Sequence, residues 1–117
     1  MEIRPEQEQD QAAVYRLNSS AFAGNAEARL VDALRKLASP IVSLVAIVDN
    51  QVTGHILFSP VQHSNDTDAL IMGLAPMAVA EEARNQGIGS ALVTSGITAC
   101  ARLGAGEQKP AIERQLE

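Results

Sequence analysis

The segment Arg84-Asn85-Gln86-Gly87-Ile88-Gly89-Ser90 joins an apolar stretch, predicted to be a strand, to a stretch predicted to be a helix. A helix that begins here presents several backbone N–H groups without intrahelical partners, and its dipole adds about half a positive charge. Gly87 and Gly89 have no Cβ to keep a ligand away from this backbone, and Arg84 adds a full positive charge. The segment therefore predicts a cradle for an anion such as a pyrophosphate.

Two other nucleotide-binding motifs do not fit the same residues. The dinucleotide fingerprint needs a third glycine where Leu92 stands, and the P-loop needs a Gly-Lys-Ser/Thr sequence that is absent. A Gly-x-Gly at a helix start is also typical of a tight strand-to-helix turn that binds nothing. On these residues alone, both interpretations stay open.

Hydrophobic periodicity in the first third of the chain predicts one strand and two helices. Glu2-Ile3-Arg4 before Pro5 predicts the strand, and Asp10 and Asn25 are suitable N-caps for the helices. The residues expected to form the buried stripe of the second helix are Leu30, Val31, Leu34, Leu37 and Ala38. The residues expected on its solvent side are Glu27, Arg29, Asp32, Arg35 and Lys36.

The middle of the chain predicts three further strands. Two β-branched runs flank Asp49-Asn50 and predict an antiparallel hairpin, and residues 69–79 predict a fourth, apolar strand after a surface turn at residues 63–68. Phe58 and Met72 are expected in the core. Pro76 cannot donate to a ladder, so one edge of the fourth strand should be unpaired, bulged or splayed there.

This order of elements, ending in the 84–90 segment, resembles the GNAT superfamily of N-acetyltransferases. Arg84, Gly87 and Gly89 match the signature Gln/Arg-x-x-Gly-x-Gly/Ala at every fixed position. The segments Glu27-Ala28-Arg29-Leu30-Val31-Asp32-Ala33-Leu34 and Gly54-His55-Ile56-Leu57-Phe58-Ser59-Pro60-Val61 further resemble its bacterial YhbS-like subgroup. The resemblance covers residues 1–105 and implies an acyl-CoA N-acyltransferase-like α/β (α+β) fold, with a mostly antiparallel sheet and flanking helices.

The resemblance implies direct transfer of an acetyl group from acetyl-CoA, as cosubstrate, to a primary amine. The pyrophosphate would be held by the backbone of the 84–90 segment, and the pantetheine arm would bond along the fourth strand and fill the opening at Pro76. A backbone N–H of that strand would stabilise the tetrahedral oxyanion. The residues implied to bind the cofactor are Met77, Ala78, Val79, Arg84, Asn85, Gln86, Gly87, Ile88, Gly89 and Ser90.

No catalytic residue is identified from the sequence. His55 could titrate near neutrality, but a single histidine on a strand more often packs or faces solvent. His63, Glu81 and Glu82 lie in polar loops, where side chains are usually solvated. Tyr15 lies on the first helix, not in the later helix where family members often keep the residue that protonates the thiolate.

The composition fits one compact domain of 117 residues, of which 46% are hydrophobic. A formal charge of -5 and 3% aromatic residues disfavour nucleic acid as a partner. The start of the chain lacks the apolar core of a signal peptide, and no apolar run approaches the ~18 residues of a spanning helix. We therefore predict a cytoplasmic protein without a membrane or metal partner, in which Cys100 is a buried hydrophobe.

The family's elements beyond the 84–90 segment and its helix, among them a fifth strand, are not found after Gly106. We therefore predict a partial, C-terminally truncated domain over residues 1–105, a tail over residues 106–117, and an exposed fourth strand through which two copies could form a homodimer. Two functions stay open. The chain is either an acetyltransferase for a small-molecule or protein amine, or a catalytically inactive remnant that binds CoA weakly or serves as an interaction module.

Overall fold

Four strands and three helices make up the parts of the chain that the computed structural model describes, residues 1–61 and 72–103. The strands are β1 (Glu2–Pro5), β2 (Val42–Val48), β3 (Gln51–Pro60) and β4 (Met72–Val79). The helices are α1 (Gln11–Ala21), α2 (Ala26–Leu37) and α3 (Ile88–Leu103), with single 3-10 turns at Glu8–Asp10 and Glu81–Ala83. The strands form one antiparallel sheet in the order β1-β2-β3-β4, so the predicted α/β class is confirmed.

The β2–β3 hairpin is confirmed, and its turn explains its register. Asp49 and Asn50 have φ values of 51° and 63°, the left-handed conformation of both central residues in a two-residue type I′ turn. Val48 therefore pairs directly with Gln51. The backbone twist of this turn matches the right-handed twist of the two strands, so the turn connects them without splaying them apart.

The helices flank the sheet, as predicted, and cover both of its faces. On one face, Val14 of α1 and Val31 of α2 pack on Val45 and Leu57 in a buried cluster. On the other face, α3 packs on a second cluster. The buried residues of this second cluster are Val42, Leu44, Ala46, Ile56, Phe58, Met72, Ala83, Ile88, Leu92 and Cys100. The predicted core positions of Phe58, Met72 and Cys100 are therefore confirmed.

The ladder between β3 and β4 is interrupted at Pro76. Ile56 pairs with Met77 but Phe58 pairs with Leu74, so Leu57 lies opposite two residues of β4, one of them Pro76. This two-against-one pairing is a β-bulge, one of the alternatives predicted from the missing N–H of proline. In the described part of the chain, β4 pairs with β3 only and is an edge strand.

The predicted buried stripe of α2 is right at Val31 and wrong at Leu30 and Leu37. Leu37 is 85% exposed and Leu30 is 43% exposed, whereas the fully buried residues are Ala28 and Val31. Arg35, expected in solvent, lies half-buried because it bonds both oxygens of Glu6 near the end of β1. This ion pair belongs to the buried side of α2, so the helix is rotated relative to the orientation that its leucines indicate.

Asp10 and Asn25 precede α1 and α2 as predicted, but neither side chain caps its helix. The Asp10 carboxylate instead accepts two hydrogen bonds from Arg4, at 2.7 and 3.1 Å, and one from the backbone N–H of Gln7 at 2.7 Å. These contacts lower the pKa of Asp10, with the Arg4 bond as the largest cause. The predicted turn at residues 63–68, residues 69–71 of the fourth strand and the tail lie outside the described residues.

Candidate functional site

A cleft of about 440 Å³ lies between the end of β4, the start of α3 and the last turn of α1. The residues that line it are Ala21, Phe22, Met77, Ala78, Val79, Ala83, Arg84, Asn85, Gly87, Ile88, Gly89 and Ser90. The structure thus brings together every residue predicted to bind the cofactor except Gln86, which is exposed and does not line the cleft. We call this space the β4–α3 cleft.

Gly87 directly precedes the first turn of α3. Its carbonyl accepts the first bond of the helix, from the backbone N–H of Ala91 at 3.0 Å. The next three residues, Ile88, Gly89 and Ser90, form the first helical turn, whose N–H groups have no acceptor within an α-helix. Gly87 has a φ of 82°, a backbone conformation that residues with a side chain rarely adopt, and a Cβ there would meet nothing within 4 Å. The cradle is therefore open to a ligand.

Gly89 keeps a gap between α3 and β4. A Cβ at Gly89 would lie 3.5 Å from the terminal methyl of Met77 and 4.0 Å from Cγ2 of Val79, which are ordinary contact distances. A small side chain would therefore fit without displacing either residue. A longer one would extend into the space beside the strand. The two glycines act differently, since Gly87 supplies a conformation and Gly89 supplies space.

The turn before α3 holds Arg84 beside this cradle. The 3-10 turn is closed by bonds from Ala83 N–H to Ala80 O at 2.9 Å and from Arg84 N–H to Glu81 O at 3.3 Å. The Arg84 side chain folds back so that Nε donates to the carbonyl of Val79 at 3.1 Å. Its positive charge is thereby fixed between the end of β4 and the start of α3, where an anion would lie.

A second cavity, of about 650 Å³, adjoins the cleft and shares Ala21, Val79 and Arg84 with it. Glu81 and Glu82 line this second cavity and are exposed, but they do not line the β4–α3 cleft. These two carboxylates, candidates for a catalytic base on sequence grounds, thus lie next to the cleft rather than in it. His63, another candidate, lies outside the described residues.

His55 is fully buried and lies in the β2–β3–β4 part of the sheet, opposite Ala78. Burial lowers the pKa of His55 to about 4, with a smaller downward effect of Arg35 and an opposing one of Glu6. The imidazole is therefore neutral at pH 7. Because no part of it reaches solvent, the structure places His55 in packing, the commoner alternative in the sequence analysis, and away from a role as the base that meets the substrate.

Three lining residues, Ala21, Phe22 and Ala83, were not predicted from the sequence. Ala21 and Phe22 lie at the end of α1, at least fifty positions before β4, and only the packing of α1 on the sheet brings them to the cleft. Among residues 1–61 and 72–103, no three His, Cys, Asp or Glu side chains are grouped so that they could hold a metal ion. No helix in this described part has the length and apolar character needed to cross a membrane.

Residues 11–109 match the model of a protein family described as "Acetyltransferase (GNAT) family". In sequence, the chain is 39% identical over 98 residues to the uncharacterized N-acetyltransferase YhbS of Escherichia coli (strain K12), covering 83% of this chain and 58% of YhbS. It is 34% identical over 91 residues to the uncharacterized N-acetyltransferase YjhQ of the same organism, covering 75% and 50%. The chain thus spans 58% of the length of YhbS and 50% of the length of YjhQ.

Two solved structures share both fold and sequence with the chain. Escherichia coli YhbS in complex with CoA superposes with a TM-score of 0.80 and 36% identity, over 88% of this chain and 57% of that one. A GNAT family acetyltransferase from Brucella melitensis in complex with acetyl-CoA superposes with a TM-score of 0.76 and 36% identity, over 84% and 66%.

Proposed function

Because the chain belongs to the GNAT family of acetyltransferases, we propose that it binds acetyl-CoA in the β4–α3 cleft and transfers the acetyl group to a primary amine. The observation that supports this most is the cleft itself. It combines the first turn of α3, the two glycines that leave its backbone open, and a strand whose outer edge is unpaired in the described sheet. Two related structures hold CoA or acetyl-CoA.

Each part of the cleft suits a part of this cosubstrate. The N–H groups at the start of α3 and the Arg84 guanidinium suit a pyrophosphate, since both attract negative charge. The backbone of Met77, Ala78 and Val79 lies along the open edge of β4, where alternate N–H and C=O groups can bond the amides of an extended chain. The half-buried Met77 and Val79 side chains supply apolar contacts.

Acetyl-CoA, when bound, supplies a thioester that a neutral amine can attack. The C–N bond forms as the C–S bond breaks, and the proton lost by the amine balances the thiolate that leaves. A backbone N–H of β4 aimed at the thioester oxygen would stabilise the charge that develops there. Glu81 and Glu82, which line the adjoining cavity, are the described carboxylates nearest in sequence to the cleft and are the first candidates to accept the proton.

Saturating acetyl-CoA is expected to raise the thermal unfolding midpoint of the chain by roughly ten degrees. A ligand at about 100 times its Kd stabilises the native state by about 2.7 kcal/mol, and a domain of this size gains several degrees for each kcal/mol. Differential scanning fluorimetry would measure the shift, with ATP as the control for a nonspecific polyanion. Thiol release in the presence of a panel of primary amines would then test turnover.

These two measurements separate the candidate functions. A midpoint shift together with amine-dependent thiol release supports the acetyltransferase. A shift without release by any amine would instead favour a chain that binds CoA but does not catalyse transfer. A sharp transition with no shift would contradict binding in the cleft. The cytoplasmic location and the division at residue 105 remain predictions, and the amine is open between a small molecule and a protein.

We also propose that two copies associate through β4. Residues 72–75 of this strand lie outside the β4–α3 cleft and have one unpaired edge in the described sheet, and Leu74 among them is 38% exposed, whereas β1 at the other edge ends at Pro5. Leu74→Lys is expected to turn a dimer into a monomer in light scattering after size exclusion, because charge on an edge strand opposes pairing. Leu37→Lys on α2 is the matched control and should leave the dimer intact. A parent chain that is monomeric would contradict the proposal.

A further inference from the structure

A chain of polar side chains runs through the interior from α2 to α1. Arg35 of α2 donates through Nε to Glu6 at 2.9 Å, and Ser43 of β2 donates its hydroxyl to the same Glu6 oxygen at 3.0 Å. The Ser43 oxygen lies 2.9 Å from Nε2 of His55 on β3. His55 Nδ1 lies 3.4 Å from Nδ2 of Asn18 on α1. His55 and Asn18 are both fully buried.

The acceptors along this row of side chains fix the positions of the Ser43 hydroxyl proton and the His55 ring proton. The Glu6 carboxylate can only accept, so the single hydrogen of the Ser43 hydroxyl points to it. Ser43 must then accept from His55, which places the imidazole proton on Nε2 and leaves the lone pair on Nδ1. That lone pair accepts from the amide of Asn18. The structure assigns His55 as the neutral Nε2–H tautomer.

Asn18 connects this row of hydrogen-bonded side chains to the wall of the β4–α3 cleft. Its Nδ2 also donates to the backbone carbonyl of Val14 at 3.0 Å. The backbone carbonyl of Asn18 accepts the Phe22 N–H at 3.1 Å, and this bond closes the last turn of α1. Ala21 and Phe22 in that turn line the cleft. His55, at the other end of the bond, lies directly across from Ala78 of β4, which also lines the cleft.

We propose that His55 and Asn18 are positioning residues, which hold the last turn of α1 in register with β3 and β4 and so fix the α1 wall of the cleft. Neither residue lines the cleft, so their effect is carried by Ala21 and Phe22. The effect on cofactor affinity rests on the proposed binding of acetyl-CoA. The effect on the position of α1 does not rest on it.

Two substitutions of His55 separate its two bonds. The polar atoms of an asparagine side chain lie at the level of the histidine Nδ1, so His55→Asn can still accept a hydrogen bond from Asn18 but loses the bond to Ser43. The polar atoms of a glutamine lie at the level of the histidine Nε2, so His55→Gln keeps the hydrogen bond to Ser43 but loses the bond to Asn18. Both variants remove the buried ring and leave one bond unmade, which makes each the control for the other in overall stability.

Hydrogen exchange at the Phe22 amide is the measurement, normalised to amides of the β2–β3 hairpin. We expect exchange about tenfold faster than in the parent for His55→Gln and within about twofold for His55→Asn, since one lost hydrogen bond is worth about that factor. In the parent, imidazole ¹⁵N spectra at pH 7 should show the proton on Nε2. Equal exchange in the two variants, or a proton on Nδ1, would overturn the proposal.

The affinity for CoA, measured by calorimetry on the same proteins, should fall about tenfold for His55→Gln and stay within about twofold for His55→Asn if the α1 wall matters for binding. Unequal exchange with equal affinity would overturn the link to the cleft. A parent that exchanges as expected but does not bind CoA would overturn the proposed function and leave the positioning of α1 supported.

Discussion

Gly89→Glu is expected to abolish acetyl-CoA binding while the chain stays folded. A Cβ at this position makes only ordinary contacts with Met77 and Val79, so the backbone and the core need not move. The rest of the side chain then extends into the β4–α3 cleft and brings a negative charge to the place where α3 and Arg84 would attract a pyrophosphate. Repulsion between close charges at a protein surface reaches about 4 kcal/mol, so Kd should rise at least about 100-fold in calorimetry.

The matched control is Gly89→Gln, which has the same size without the charge. It should weaken binding by about tenfold, so the difference between the two variants isolates the electrostatic part. Gly87→Glu should also abolish binding, but there the φ of 82° strains any side chain, so a loss of stability accompanies the loss of affinity. Cys100→Ala, in the core on the far part of α3, should leave binding intact. Parental affinity in both glutamate variants would show that the anion does not bind at this helix start.

The cradle could be predicted from the sequence because it is local. One strand end, one turn and one helix start follow each other within residues 77–90, and the features that matter, two glycines and a helix N-terminus, are properties of that short stretch. The bulge at Pro76 was predictable for the same reason, since a missing N–H must interrupt a ladder wherever the strand lies. The hairpin turn at Asp49 and Asn50 is a third local feature of this kind.

The parts of the site that could not be predicted depend on packing between distant segments. The end of α1 forms one wall of the cleft, and nothing in residues 21–22 indicates which strand they will meet. The α2 stripe was wrong at Leu37 because leucines at helical spacing were expected to face the core, whereas Leu37 is 85% exposed and the salt bridge from Arg35 to Glu6 lies on the buried side. An ion pair between residues 29 positions apart leaves no periodic signal in the sequence.

A further position without a periodic signal is Gly96, and we expect Gly96→Ala to lower stability although it replaces a glycine inside a helix. Such a change normally stabilises by up to about 1 kcal/mol, because alanine is the better helix former. Here a Cβ would lie 2.1 Å from Cε1 and 2.7 Å from Cζ of Phe58, whose ring is fully buried. Overpacking of this kind costs about 1 to 3 kcal/mol or more, so the thermal midpoint should fall by roughly ten degrees.

Gly24→Ala is the control for the change in side chain alone, because a Cβ at Gly24 meets nothing within 4 Å and the midpoint should stay within about two degrees. Phe58→Leu tests the cause. If the ring is the obstacle, Gly96→Ala should cost at least about 1 kcal/mol less in the Phe58→Leu background than in the parent. Additive effects of the two substitutions would assign the loss to something other than this contact.

The contact matters beyond stability because α3 approaches β3 closely at two places, in the first turns of the helix and at its middle. Gly96 admits the Phe58 ring from the sheet, while Gly54 on β3 admits α3, since a Cβ there would lie 2.9 Å from Cγ2 of Ile88 and 3.0 Å from Cδ1 of Leu92. These two glycines set the height of the helix above the sheet, and its first turn forms the cradle beside Met77. Gly96→Ala should therefore also weaken acetyl-CoA binding by about tenfold at temperatures where the variant is fully folded, since small misplacements of binding groups have effects of at least that size. A variant that is less stable but binds as the parent does would show that the cradle tolerates movement of α3.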